Sequence, residues 1–199
     1  AVLGELGLVE ELRSAGLDAH RIEPPPLQKP ADALQCVPKG TGALVASMDW
    51  NVDFAKLSVA VALLMNPEVG FFATNLDRAF PTPGGVLPGT GSIVAAVATA
   101  SGREPIVLGK PEQPMLHAAL SAAWGASAAE DKARQRTIMI GDRIDTDIMF
   151  ANRGSIRSLL VFSGVSSVED AEGASEEGRA TWTCPSLASV VAQLQTMST

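Results

Sequence analysis

Short apolar runs alternate with stretches of helical spacing along most of the 199-residue chain, and Gly, Pro or Asp marks most of the joins. "AVLG" (Ala1–Gly4) reads as the end of a buried strand. "LGLVEELRSAGL" then sets apolar residues at helical intervals, with Gly16 as a stop. "ALVASMDW" predicts a strand, "DFAKLSVAVALLM" a helix with Asp53 placed to cap it, and "GFFATN" a further strand. After a Gly/Pro-rich stretch, "GSIVAAVATASG" predicts a small-residue helix closed by Gly102. The rhythm continues through "PIVLGK" (strand), "PEQPMLHAALSAAWG" (helix), "RTIMIGD" (strand) and "DTDIMFANRG" (helix). "RSLLVFSG" and "ATWTC" predict two more strands, and "SLASVVAQLQTM" a closing helix.

Strands alternating with helices predict an α/β fold with a mostly parallel sheet covered on both faces. Two stretches break the pattern. Arg21 to Gly42 holds five prolines and little periodicity, so it reads as a linker or crossing loop. "LDRAFPTPGGVLPGTGS" (Leu76–Ser92) reads as a structured loop rather than an element.

Composition narrows the function classes. The chain is 46% hydrophobic and 19% charged, with a net charge of -7 and a pI near 4.8. That acidity argues against non-specific nucleic-acid binding, yet permits a phosphorylated small molecule in a locally positive site. The longest compact apolar run, "SVAVALLM", is too short to span a bilayer, and a membrane role is not expected. Cys36 and Cys184 lie far apart, which fits reduced thiols and a cytoplasmic location.

Ligands of an open parallel sheet sit beyond the carboxyl ends of its strands. Three strand ends carry chemistry there: Asn75 with Asp77 after "GFFAT", Lys110 after "PIVLG", and Asp142 after "TIMIG". Asp142, Arg143, Asp145 and Asp147 crowd into six positions. A carboxylate following Gly141 at a strand end is placed to hold Mg²⁺. Asp147 could then bond the metal's water shell or an adjacent cation. The plainer alternative is that Asp145 and Asp147 complement a helix N-terminus while Arg143 pairs with one of them. Lys110 favours the first reading, because lysine and carboxylates at neighbouring strand ends form a clamp for a phosphoryl group. "PGTGS" (Pro88–Ser92) lacks the ending of a nucleotide P-loop and reads as a tightly packed helix start. Ser163 and Ser166 lack a nucleophile-elbow context, so a serine hydrolase is not expected.

Taken in order, "GKP" (Gly109–Pro111), "GDRIDTDI" (Gly141–Ile148) and "GVSS" (Gly164–Ser167) resemble the haloacid-dehalogenase-type phosphatases. The similarity is to the subgroup of p-nitrophenyl phosphatase, phosphoglycolate phosphatase and chronophin. "FFATNLD", "PGTGSIVAAVATASGREPIVLGKP" and "GELGLVEELRSAGL" extend it over nearly the whole chain.

The resemblance implies a Rossmann-like parallel core, incomplete at its N-terminus, with an inserted α/β cap. Residues 1–42 would be a partial core segment and Pro-rich linker, 43–105 the cap that selects substrates, and 106–199 the C-terminal half of the core. It also implies that Lys110 stabilises a phosphorylated intermediate, that Asp142 holds Mg²⁺, and that Asp147 is the second aspartate of that motif. Within the cap, Asn75, Asp77, Arg78 and Phe80 become the substrate-binding candidates. The activity implied is Mg²⁺-dependent hydrolysis of small phosphomonoesters of the phosphoglycolate or p-nitrophenyl phosphate type, through an aspartyl phosphate, by a protein that could pair through its cap.

One departure stands out: the family's Asp-x-Asp-Gly nucleophile motif and its phosphate-binding Thr/Ser have no match here and would lie before Ala1. The 199 residues alone are therefore expected to be inactive. The other reading is a catalytically dead relative serving as a structural or binding subunit of a larger assembly.

Overall fold

A computed structural model describes residues 1–125 and 130–197. The chain divides into two compact units, Ala1–Leu108 and Gly109–Thr199, each a mixed α/β unit built on a parallel sheet.

In the first unit the chain runs β1 (Val2–Leu3), α1 (Leu6–Ser14), a 3₁₀ turn (Pro30–Cys36), β2 (Ala43–Ala46), α2 (Phe54–Leu64) and β3 (Gly70–Ala73). It continues through β4 (Ala79–Thr82), β5 (Gly85–Pro88), α3 (Thr90–Ser101) and β6 (Ile106–Val107). The sheet has the order β1-β2-β3-β6, all neighbours parallel. Leu44 and Ala46 on β2, and Phe71 and Ala73 on β3, point into a core with Val59, Leu63 and Leu64 of α2 and Val94 and Val97 of α3. Asp53 caps α2 by accepting the Lys56 N–H at 2.8 Å. The left-handed Gly102 (φ +67) ends α3.

Residues 1–42 are not set apart from 43–105. Val2 and Leu3 lie in parallel register with Val45 and Ala46, and Val2 bridges to Arg21. Ile22 and Ala33, inside the Pro-rich stretch, are buried in the same core as Leu44, so that stretch is a packed crossing rather than a linker. At the other end, Ile106–Val107 pairs with Phe72–Ala73, so the strand expected to open the C-terminal segment belongs to the first unit's sheet.

The stretch expected as a loop after β3 contains an antiparallel hairpin, β4 with β5, from Ala79↔Pro88 to Thr82↔Gly85. Pro81 and Pro88 are tolerated because a two-stranded ribbon leaves half its N–H groups unpaired. Gly85 (φ +136) and the Thr82 hydroxyl, which donates to the Gly85 carbonyl at 2.8 Å, form the turn.

In the second unit, α4 (Pro114–Trp124) and α5 (Glu130–Gln135) precede β7 (Ile138–Gly141). A π-helical turn (Ile144–Ile148) then runs directly into α6 (Met149–Arg153), followed by β8 (Arg157–Val161), α7 (Val168–Glu172), β9 (Trp182–Cys184) and α8 (Leu187–Met197). The sheet order is β7-β8-β9, all parallel. Leu116, Leu120, Phe150, Ala151 and Ile156 form the core of this unit, with Met139 against it. Among the described residues no helix is long and apolar enough to cross a membrane.

Candidate active site

The charged cluster sits where β7 ends. Asp147 is buried on the π-helical turn, and both its oxygens are engaged. Oδ1 accepts the Lys110 ammonium at 2.6 Å, and Oδ2 accepts the backbone N–H groups of Asp142 and Arg143, each at 3.1 Å. One carboxylate thus pins the loop carrying Asp142 and also holds Lys110. The arrangement needs a bare backbone beside it, since a Cβ on Gly141 would stand 2.2 Å from Asp147 Oδ2.

Asp142 is half-buried and held from the opposite side by the loop after β8. Its Oδ2 accepts the Val165 N–H at 2.8 Å, and its backbone carbonyl accepts the Ser166 N–H at 2.9 Å. Ser166 Oγ accepts the Ile144 N–H at 3.2 Å. Gly164 is required by closeness again, as a Cβ there would lie 1.9 Å from Asp142 Oδ2. Asp142 Oδ1 is left without a protein donor among the described residues.

Arg143 and Asp145 form a fork-to-fork pair, Nε to Oδ1 at 3.0 Å and Nη2 to Oδ2 at 2.7 Å, with Asp145 turned to solvent. The Arg143 hydrogen bond holds the Asp145 carboxyl below its ordinary value of 3.8, against a smaller opposing effect of burial. The structure therefore separates the four charges: Asp145 and Arg143 pair locally, while Asp147 holds Lys110 and the backbone N–H of Asp142.

The described residues contain no group of three or more His, Cys, Asp or Glu able to hold a metal. What they offer is one carboxylate oxygen, Asp142 Oδ1, on a loop whose backbone N–H is held by the same Asp147 carboxylate that accepts the Lys110 ammonium. That donor set fits Mg²⁺, which keeps several waters and is commonly held by one or two carboxylates together with substrate phosphate.

Asn75, Asp77, Arg78 and Phe80 lie in the first unit, at the carboxyl end of β3 and on β4. Asn75 Oδ1 accepts the Asp77 N–H at 3.1 Å, making a local turn. Arg78 lines a cavity of about 400 Å³ with Leu76, Ser92, Val94, Ala98 and Glu104. Phe80 meets Trp50 edge to face, ring centroids 5.6 Å apart. "PGTGS" is a tightly packed helix start, for Cβ atoms on Gly89 and Gly91 would stand 2.1 Å from the Asp77 carbonyl oxygen and 2.5 Å from that of Leu76.

Reading the residues one by one missed the partners of Asp142. "GVSS" appeared as a motif, but nothing in its composition says that Val165 closes on the Asp142 carboxylate and Ser166 on its backbone carbonyl. The signal present was a pair of small residues, Gly141 and Gly164, each at the end of an apolar strand.

Residues 107–190 match the HAD-hydrolase-like family. Over 172 residues the chain is 39% identical to chronophin from Bos taurus, covering 86% of this chain and 53% of that protein. It is 37% identical over 175 residues to 4-nitrophenylphosphatase from Schizosaccharomyces pombe, covering 85% and 56%. Among solved structures, glycerol phosphate phosphatase from Mycobacterium tuberculosis in complex with magnesium superposes with a TM-score of 0.76 at 28% identity, covering 95% of this chain and 50% of that one. Residues 107–190 are thus similar to the haloacid-dehalogenase-like hydrolases, and the relatives that the chain matches are named as phosphatases. The chain spans about half the length of the curated relatives it matches.

Proposed function

We propose that the protein containing this chain is a Mg²⁺-dependent phosphatase of small phosphomonoesters. In this reading the second unit supplies half of the active site and the first unit is the substrate-selecting cap. The observation that carries it is the Asp147 carboxylate, which holds Lys110 at 2.6 Å and pins the Asp142 loop through two backbone N–H groups.

The chain's own residues have separable tasks. Lys110 gives one N–H to Asp147 and, being 36% exposed, has further N–H groups to offer to phosphoryl oxygens. Its charge opposes the negative charge that grows on those oxygens in the transition state. Asp147 keeps the ammonium aimed and is a positioning residue. Asp142 presents Oδ1, the oxygen that would hold Mg²⁺. When bound, the metal would neutralise phosphate charge and orient the ester. The aspartate that attacks phosphorus in the covalent route, and the acid that protonates the leaving alcohol, would come from outside these 199 residues. Two features support that part: the chain spans only about half of its relatives, and β7 is an outer strand with Ile138 and Ile140 43% and 40% exposed.

For the substrate, the names of the relatives support a small ester of the 4-nitrophenyl phosphate or glycerol phosphate kind, with phosphoglycolate and pyridoxal phosphate as further candidates. A cytoplasmic location and pairing through the first unit are part of the same proposal. A panel of these esters, assayed on the full-length protein with and without Mg²⁺, tests it. Metal-dependent phosphate release from at least one ester is expected. No release from any of them would favour the binding-subunit reading instead.

A further inference from the structure

Asp142 is fixed from two sides, and only one side has a place in the proposal above. Asp147 holds its backbone N–H. The loop Gly164–Ser166 holds everything else: Val165 N–H takes Oδ2 at 2.8 Å, Ser166 N–H takes the Asp142 carbonyl at 2.9 Å, and Ser166 Oγ takes the Ile144 N–H at 3.2 Å. Ser166 contributes two of these three bonds, one through its backbone and one through its hydroxyl. It is only 9% exposed, so its Oγ is not a surface group that water could replace freely.

The chemistry of the Ile144 N–H explains why a hydroxyl is useful there. Ile144 opens the π-helical turn, and the first N–H groups of such a turn have no partner within it. Without Ser166 Oγ, a half-buried donor beside Asp142 would lose its acceptor, and the backbone between Asp142 and Asp147 could rotate to recover one. That rotation would swing the Asp142 carboxylate away from Val165 and change which oxygen faces the site.

We infer that Ser166 is a positioning residue for the metal. With the Gly164–Val165 backbone, it locks the Asp142 carboxylate so that Oδ2 is spent on the protein and Oδ1 is the oxygen offered to Mg²⁺. The inference rests on Asp142 being the Mg²⁺ residue. Partners of this kind typically change metal affinity by about 10- to 100-fold when removed.

The test is calorimetric titration of Mg²⁺ into the full-length protein, without substrate, for wild type, Ser166→Ala, Ser166→Thr and Gly164→Ala. Thermal melting in EDTA runs alongside. Ser166→Ala is expected to weaken Mg²⁺ binding about tenfold or more, and Ser166→Thr, which keeps the hydroxyl, to recover most of it. Gly164→Ala acts from the other side of the carboxylate, where its Cβ would stand 1.9 Å from Oδ2, and should weaken binding with Ser166 intact. Mg²⁺ affinity equal to wild type in Ser166→Ala, with or without a lower metal-free melting temperature, would reduce Ser166 to a structural residue and overturn the inference alone. Absence of Mg²⁺ binding in the wild type would overturn the metal role of Asp142, and the inference with it.

Discussion

Each unit buries an aspartate against a lysine, yet the surroundings of the two pairs are opposite. In the first unit the Asp49 side chain is wholly buried. Lys56 Nζ meets both its oxygens at 3.2 and 2.9 Å, Arg21 reaches it at 3.3 Å, and the Asn51 N–H donates at 2.9 Å. Both cations are nearly buried too, Lys56 at 9% and Arg21 at 11% exposure. Arg21 passes on to Glu23 at 3.1 Å, and Glu5 accepts the Trp50 N–H. The charges are spent internally, tying the end of β2 to α2 and to the segment after α1. In the second unit Asp147 is equally buried, at 5%, but its lysine is 36% exposed, and among the described residues the adjacent Asp142 keeps an oxygen without a protein donor. A buried Asp–Lys pair is therefore not a site in itself. The two pairs differ in whether the cation keeps donors pointing outward, which the proposed site needs and the brace does not.

The largest expected contrast comes from breaking the closed pair. Asp49→Ala leaves two cations with little water and no carboxylate between them, and should cost about 3–5 kcal/mol of stability. Urea denaturation reads this, and turnover per folded molecule should be unchanged. Lys110→Ala should do the reverse, lowering kcat of the full-length protein by about 10²–10³-fold with much less effect on the urea midpoint. Equal stability losses in the two variants would erase the distinction.

The glycines sharpen the comparison on a smaller scale. Gly141→Ala drives a Cβ to 2.2 Å from Asp147 Oδ2, and should cost about 1–3 kcal/mol together with activity. Gly42→Ala, at the entry to β2, meets nothing within 4 Å and should stay within about 0.5 kcal/mol of wild type. Thermal melts of both variants check this.

The smallest effect belongs to Asp145. Its carboxyl is held below 3.8 by Arg143, so the stability it adds is present above that value and lost as pH falls through the lowered folded value. Because Asp145 is mostly exposed, Asp145→Asn should change stability by less than about 1 kcal/mol near pH 7. The difference from wild type should vanish in strong acid, as read by denaturant midpoints at the two pH values.

The contrast between the units also shows what could be read from residues in line. The strand-end positions of Asp142 and Lys110 were legible because each follows an apolar strand and a glycine, which is a local pattern. Asp53 was legible as a cap for the same reason. Asp49 was not: it sits at the end of "ALVASMDW", and its partners Arg21 and Lys56 are brought to it only by the parallel pairing of β1 with β2 and the packing of α2. The β4–β5 hairpin was hidden by Pro81, Pro83 and Pro88, which signal a loop, although the Pro83–Gly84 turn between two short apolar runs was there to see. The capping box of α7, Ser167 with Asp170, was a local signal left unused. The boundary expected after residue 42 is absent, because Ile22 and Ala33, in the Pro-rich stretch that signals a linker, are core residues of the first unit.

The most direct test of the account is Mg²⁺-dependent hydrolysis of p-nitrophenyl phosphate by the full-length protein carrying Asp142→Asn. The substitution keeps the shape of the side chain and a carbonyl oxygen but removes the charge a cation needs. The account predicts that hydrolysis present in the wild type falls to background in this variant at any Mg²⁺ concentration. Full activity in Asp142→Asn would contradict the role assigned to the open half of the comparison.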